Sequence, residues 1–151
     1  MIVKRYEERF LAALASLEET CFSKPWSEQA LADFFAYECN GALVAVEKDD
    51  LLGYVTYSFT PDECVVANVA VSPHHRRLGI GKALLQTLET EARANGKRVM
   101  YLEVRVSNTP AVTLYEKAGF TVAGRRKNFY SQPREDAFVM TKDLPEADHL
   151  F

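Results

Sequence analysis

The sequence predicts a mixed α/β domain in the order β-α-α-β-β-β-α-β-α-β-β, about seven strands in one central sheet flanked by about four helices. Three observations carry that expectation. Ala42–Glu47, Leu52–Phe59 and Glu63–Ser72 are consecutive runs rich in β-branched and aromatic residues, the composition of strands. Apolar residues recur at helical spacing on both sides of these runs. Beyond Gly96, strand-like and helix-like stretches alternate, and such alternation builds a sheet with helices packed on it.

Ile2–Arg5 reads as a short opening strand, and Tyr6–Thr20 as a helix with Phe10, Leu11, Leu14 and Leu17 on one face. Ser27 is a natural N-cap for a second helix whose inward stripe is Ala30, Leu31, Phe34 and Phe35. Turn signals at Lys48–Asp50 and Thr60–Asp62 separate the next three strands, so they form an antiparallel meander. Pro73 ends the third, because proline cannot donate to a ladder. Gly79–Asn95 is a long helix with Ile80, Leu84, Leu85, Leu88 and Ala92 inward, stopped by Asn95-Gly96. Arg98–Val106 is a strand. Asn108 or Thr109 caps the next helix, Pro110 sits in its first turn, and Gly119 follows its end at Ala118. Phe120–Gly124 and Ala137–Lys142 supply the last strands. Residues 1–144 read as one domain and residues 145–151 as a loose tail.

A chain of 151 residues, 48% hydrophobic and 26% charged, matches a soluble globular protein with a real core. No apolar run approaches the ~20 residues that span a bilayer. Met1-Ile-Val-Lys-Arg5 has no apolar stretch behind its basic residues, so no secretory signal is expected. Cys21, Cys39 and Cys64 form no CxxC pair and read as reduced thiols of a cytoplasmic protein without a catalytic role. His74, His75 and His149 lack carboxylates at ligand spacing, so no metal is expected.

The net charge of −3 opposes nucleic-acid binding, and its distribution is uneven. Lys4, Arg5, Arg9 and Lys24 face Glu7, Glu8, Glu18, Glu19, Glu28, Asp33 and Glu38 in the first forty residues. Residues 74–98 are basic, with Arg76, Arg77, Lys82, Arg93, Lys97 and Arg98 against Glu89 and Glu91. An anionic ligand near the second region and a basic one near the first would suit this asymmetry, as would two solvated faces.

The most informative stretch is Val69-Ala-Val-Ser-Pro-His-His-Arg-Arg-Leu-Gly-Ile-Gly-Lys82. A strand ends, a basic loop follows, and two glycines open a helix. Unpaired N–H groups at a helix N-terminus attract phosphate. Glycine lets an anion approach the backbone. A dinucleotide fingerprint needs a third glycine where Leu84 stands, and a P-loop needs glycine at Arg76 and a hydroxyl at Ala83. A tight glycine-capped turn remains the bland alternative.

Arg76-Arg-Leu-Gly-Ile-Gly81, between a strand and a helix, resembles the Arg/Gln-x-x-Gly-x-Gly/Ala signature of the GNAT superfamily. Leu102-Glu-Val-Arg-Val-Ser-Asn108, Ala111 and Leu114-Tyr-Glu-Lys-Ala-Gly-Phe120 tighten the likeness. Pro25-Trp-Ser-Glu28, Arg125-Arg-Lys-Asn-Phe-Tyr130 and Arg134-Glu-Asp-Ala137 are similar to the RimI-like group, bacterial acetyltransferases of the N-terminal alanine of small-subunit ribosomal protein eighteen. The resemblance covers nearly the whole chain apart from the tail.

It implies the GNAT (acyl-CoA N-acyltransferase) fold and acetyl-CoA as co-substrate, with no metal. The acceptor would be a ribosomal protein N-terminus, without nucleic acid or membrane as partner. Arg76, Arg77, Leu78, Gly79, Ile80, Gly81, Lys82 and Asn108 would hold coenzyme A, and Val69, Ala70 and Val71 would bind its pantetheine arm through the main chain. Glu103 aligns with the group's general base and Tyr115 with its general acid. Trp26 and Tyr130 are the candidate walls for a basic, aromatic peptide. Each residue has a plainer reading: Glu103 paired with Arg105 on a surface strand, Tyr115 in the core, Asn108 as an N-cap only, Val69–Val71 as strand packing. Two other functions stay open. One is acetylation of lysine side chains or small amines; the other is a non-catalytic acyl-CoA sensor, which would not need Glu103 and Tyr115.

Overall fold

The computed structural model describes Met1–Pro145. Its elements are β1 (Ile2–Arg5), α1 (Leu11–Cys21), α2 (Glu28–Phe35), β2 (Asn40–Glu47), β3 (Asp50–Phe59), β4 (Glu63–Val71), α3 (Ile80–Ala94), β5 (Val99–Arg105), α4 (Thr109–Lys117), β6 (Thr121–Ser131) and β7 (Arg134–Asp143). The order is the one the sequence predicts. The strands form one mixed sheet ordered β1-β2-β3-β4-β5-β7-β6. β4 and β5 pair in parallel, from Glu63 opposite Val99 to Val65 opposite Tyr101. β5, β7 and β6 pair antiparallel.

The chain divides into two compact units, Met1–Ser58 with Val66–Leu88, and Phe59–Val65 with the chain from Glu89 onward. In the first, Phe10, Leu14, Leu17, Leu31, Val44, Val46, Tyr54 and Ala70 form a continuous core. Burying each large side chain contributes about 1.5–3 kcal/mol. Leu52 and Thr56 of β3 bond Ser72 and Asn68, so the two strands run antiparallel. Gly53 permits their approach here: a Cβ would lie 2.8 Å from the carbonyl oxygen of Ala70.

Two expectations for the first unit need correction. The predicted helix from Tyr6 begins as a 3-10 turn at Glu8–Phe10, and α1 starts only at Leu11. The reason is that the Tyr6 N–H continues the β1–β2 pairing by donating to Ala42. Of the predicted stripe on α2 only Leu31 is fully buried. Phe34 and Phe35 instead join an aromatic chain, Trp26 on Phe34, Phe34 on Phe35, and Phe35 stacked on Tyr6 at 4.1 Å.

In the second unit β5 alternates as a half-buried strand should. Met100, Leu102 and Val104 are buried, while Tyr101, Glu103 and Arg105 are half-buried. Asn108 caps α4 by accepting from the Ala111 N–H at 3.3 Å, and the Phe120 N–H closes its far end on the Tyr115 carbonyl. β6 and β7 are longer than predicted. The polar stretch from Arg125 to Asp136 carries no apolar alternation, yet it continues the ladder through a register shift between Arg126 and Tyr130. Its register is held by charges, Arg125 to Asp136 at 2.8 Å and Asp136 to the Asn128 N–H at 2.8 Å. Pro145, placed in the tail by the sequence, accepts from Arg93 at 3.1 Å. The rest of that tail, His149 included, lies outside the described residues.

Candidate active site

The loop from β4 to α3 is in the first unit. Ala70 is buried, with Val69 and Val71 half-buried on either side. A 3-10 turn at Pro73–His75 follows, then Arg76 is extended. Arg77 and Gly79 are left-handed, at φ 64° and φ 78°. A Cβ on Gly79 would meet nothing within 4 Å, so the backbone conformation rather than crowding calls for glycine. The Ala83 N–H donates to the Gly79 carbonyl at 2.9 Å. The N–H groups of Ile80, Gly81 and Lys82 therefore have no partner within their helix. Ile80 and Gly81 are buried, while the loop before them from Arg76 to Gly79 is exposed, as is Lys82. These donors and charges fit a phosphate-bearing ligand.

Arg76 also has contacts within the protein. Its Nε donates to the Val71 carbonyl at 3.2 Å, and its Nη2 lies 3.6 Å from Cys21 Sγ. It ties the loop to the end of β4 and to α1, and is itself exposed, as are Arg77 and Lys82. Among the described residues no group of three or more His, Cys, Asp or Glu side chains could hold a metal ion.

The second unit holds the candidate acid and base. Glu103 is half-buried, and its ion-pair partner is Arg126 rather than the Arg105 of the plainer reading. Arg126 Nε approaches Glu103 Oε2 to 3.2 Å. That oxygen is shut off from solvent and accepts no aligned hydrogen bond, so the contact is an ion pair without directional bonding. Arg105 turns instead to Glu135 at 3.2 Å, donates to the carbonyl of Pro133 at 2.9 Å, and lies over the Tyr130 ring at 4.2 Å. It thereby ties the β6–β7 turn to β5 and stacks on Tyr130 near the end of β6.

Tyr115 is 8% exposed, with its ring edge-on to Phe120. Burial pushes its phenol above the usual tyrosine range, and Tyr130 adds to this. Burial also raises Tyr130, as does the charge of Glu103, partly offset by Arg105. Glu103, Tyr130 and Tyr115 therefore form one electrostatic neighbourhood. Asn108 is exposed, and its carbonyl oxygen serves the cap, which leaves its amide NH2 as donor to a ligand.

Trp26, in the first unit, is 41% exposed and lines a groove of about 390 Å³ with Ala30, Asp33, Phe34, Tyr37 and Asn40. The expected acidic wall is partly corrected. Glu18, counted among those carboxylates, is 1% exposed and cannot meet a peptide. Sequence reasoning missed its real place, although Leu14, Leu17, Glu18 and Cys21 share one helical face.

Residues 11–120 match the model of the acetyltransferase (GNAT) family. The chain belongs to the GNAT family. This GNAT acetyltransferase is 33% identical over 147 residues to the [ribosomal protein bS18]-alanine N-acetyltransferase of Escherichia coli K12, covering 91% of this chain and 94% of that protein. It superposes on the crystal structure of the E. coli ribosomal-protein-S18-alanine N-acetyltransferase with a TM-score of 0.88 and 31% identity, covering 99% and 97% of the two chains. It also shares its fold, at a TM-score of 0.82 and 19% identity, with the aminoglycoside 6'-N-acetyltransferase of Enterococcus faecium, covering 98% of this chain and all of that one.

Proposed function

We propose that this GNAT acetyltransferase works in the cytoplasm, transferring acetyl from acetyl-CoA to the N-terminal α-amino group of a protein, that of an alanine on ribosomal protein S18. The observation that carries the reading is the likeness, along nearly the full length of both chains, to an enzyme of that specificity. The fold alone would not choose the acceptor, since it also serves an aminoglycoside enzyme.

Acetyl-CoA, when bound, supplies an acetyl group activated as a thioester. The N–H groups of Ile80, Gly81 and Lys82, with Arg77 and Lys82, bind its phosphates, and the Asn108 amide adds a donor. The main chain of Val69–Val71 holds the pantetheine arm in the manner of an added strand and offers an N–H to the acyl oxygen.

Glu103 takes the proton that the amine nitrogen loses as its bond to the acetyl carbon forms. An α-amino group, with a pKa of about 8, is easier to deprotonate than a lysine at about 10.4. Tyr115 gives its phenolic proton to the sulfur as the carbon–sulfur bond breaks. Because burial holds that phenol protonated, it stays a donor at every physiological pH and releases its proton only as negative charge grows on sulfur. The joint presence of this acid and this base favours catalysis over acyl-CoA sensing, which would need neither.

The test is a kinetic comparison with saturating acetyl-CoA. An S18 N-terminal peptide, the same peptide acetylated at its α-amine, a lysine-bearing internal peptide and an aminoglycoside are the acceptors. The first is expected to exceed the others by at least tenfold in kcat/KM, a difference of about 1.4 kcal/mol. Preference for the lysine peptide or the aminoglycoside would refute the acceptor assignment.

A further inference from the structure

The Glu18 side chain is a carboxylate almost wholly enclosed in the first unit, 1% exposed. Its Oε2 accepts a hydrogen bond from the hydroxyl of Tyr54, itself without exposed surface. Its Oε1 accepts the main-chain N–H of Trp26 at 3.2 Å and, at 3.5 Å, the side-chain amide of Asn68. No ion pair of Glu18 is found among the described residues. A buried polar group is tolerated only where hydrogen-bond partners replace its water. Here they come from β3, β4 and the segment between α1 and α2.

That segment, from Phe22 to Ser27, has no regular structure. Its neighbours fix one end through Ser27, which caps α2 by accepting from the Ala30 N–H at 3.1 Å. Just before that cap, Glu18 pins the backbone of Trp26 from the core side while the indole lies exposed against Phe34. Asn68, the third donor, immediately precedes Val69 on β4, and its own N–H donates to Thr56 at 3.1 Å. One carboxylate thus ties the loop presenting Trp26 to the two strands behind it.

We propose that Glu18 is the positioning residue of the acceptor side: its buried carboxylate sets the orientation in which Trp26 meets the peptide. The inference rests on the acceptor reading above. Glu18 touches no reacting atom; it acts through the Trp26 backbone. A glutamine at 18 has the same shape but replaces one acceptor oxygen with a donor, which removes the partner that Tyr54 or Trp26 needs.

The experiment compares the wild type, Glu18→Gln, Tyr54→Phe, Trp26→Ala and the Glu18→Gln/Trp26→Ala pair. The readouts are kcat and KM for an alanine-starting hexapeptide and for alanine amide, KM for acetyl-CoA, and Tm. Alanine amide carries the reacting amine but is too short to span the peptide wall. Glu18→Gln is expected to raise the hexapeptide KM about tenfold with kcat within twofold. Its kcat/KM for alanine amide and its KM for acetyl-CoA stay at the wild-type values. With Trp26→Ala already present, Glu18→Gln should raise the peptide KM no further, since coupled residues are not additive. Equal losses on peptide and alanine amide, or additive effects with Trp26→Ala, overturn the proposal. If Glu18→Gln does not fold, Tyr54→Phe removes one of the three bonds and keeps the ring; an unchanged peptide KM there overturns it equally. A wild type that acetylates neither acceptor refutes the acceptor assignment itself, a separate failure.

Discussion

Glu103 and Tyr115 are the residues proposed to divide the proton traffic, and their surroundings differ in ways that experiments can read. Glu103→Gln removes the base, and Tyr115→Phe removes the acid while keeping a ring of nearly the same volume. Each is expected to lower kcat by about 10²–10⁴ with the affinity for acetyl-CoA unchanged, as measured by calorimetry. Turnover at the wild-type rate in both variants would refute the roles. The pH profile supplies a second reading. The acid must be protonated to act, and burial raises its pKa, so the protonated form persists to higher pH than for an ordinary tyrosine. Activity should rise as the acceptor amine deprotonates near pH 8 and should not decline again below about pH 10. An alkaline decline centred below pH 9 would exclude Tyr115 as the acid. Both residues were legible in the sequence only through resemblance, because a glutamate in an alternating strand and a tyrosine in a helix have ordinary structural readings. The Glu103–Arg126 contact was not legible at all. It joins residues on different strands, whereas the Glu103–Arg105 pair of the plainer reading lies along one strand.

At the scale of elements, the start of α4 carries an observed cap and a proposed ligand contact on one side chain. The carbonyl oxygen of Asn108 caps the helix, and its amide NH2 is the group proposed for coenzyme A. Asn108→Ala loses both functions and should destabilise the protein by about 1 kcal/mol, seen in denaturant titration. Asn108→Ser restores a capping oxygen without an NH2. It is expected to recover the stability but keep a raised KM for acetyl-CoA. Recovery of both by serine would mean that capping alone explains the residue. The caps themselves were easy to read: Ser27 and Asn108 stand where their helices begin, and Gly96 and Gly119 follow the ends of α3 and α4 with positive φ. The stripe Ile80, Leu84, Leu85, Leu88 and Ala92 was read without error, since every member is buried. The β6–β7 hairpin was underestimated because its pairing rests on charge contacts and backbone bonds rather than on alternation. An edge strand exposed along nearly its whole length leaves no hydrophobic trace.

Across the whole molecule, the order of elements followed from local patterns, while the partners of buried polar groups did not. Glu18 shows why. Its phase with Leu14 marked the buried face, yet the three donors that make the position tolerable come from residues 8 to 50 positions away. The three cysteines, set aside as a group by the sequence, fall into three distinct environments. Cys64 has no exposed surface, and burial pushes its thiol up to about 12. Cys39 is exposed, and Cys21 is half-buried with its sulfur 3.6 Å from both the Val71 carbonyl and the Arg76 guanidinium. The protein thus carries a built-in set of chemical probes. In an alkylation time course at neutral pH followed by mass spectrometry, Cys39 should label first and Cys64 not at all while the chain is folded. Added coenzyme A should slow labelling of Cys21 and leave Cys39 unaffected. Equal rates at Cys21 with and without saturating coenzyme A would place the ligand elsewhere than on the loop that Arg76 anchors. An unmodified sulfur, with no engineered label, would then time the filling of the donor site.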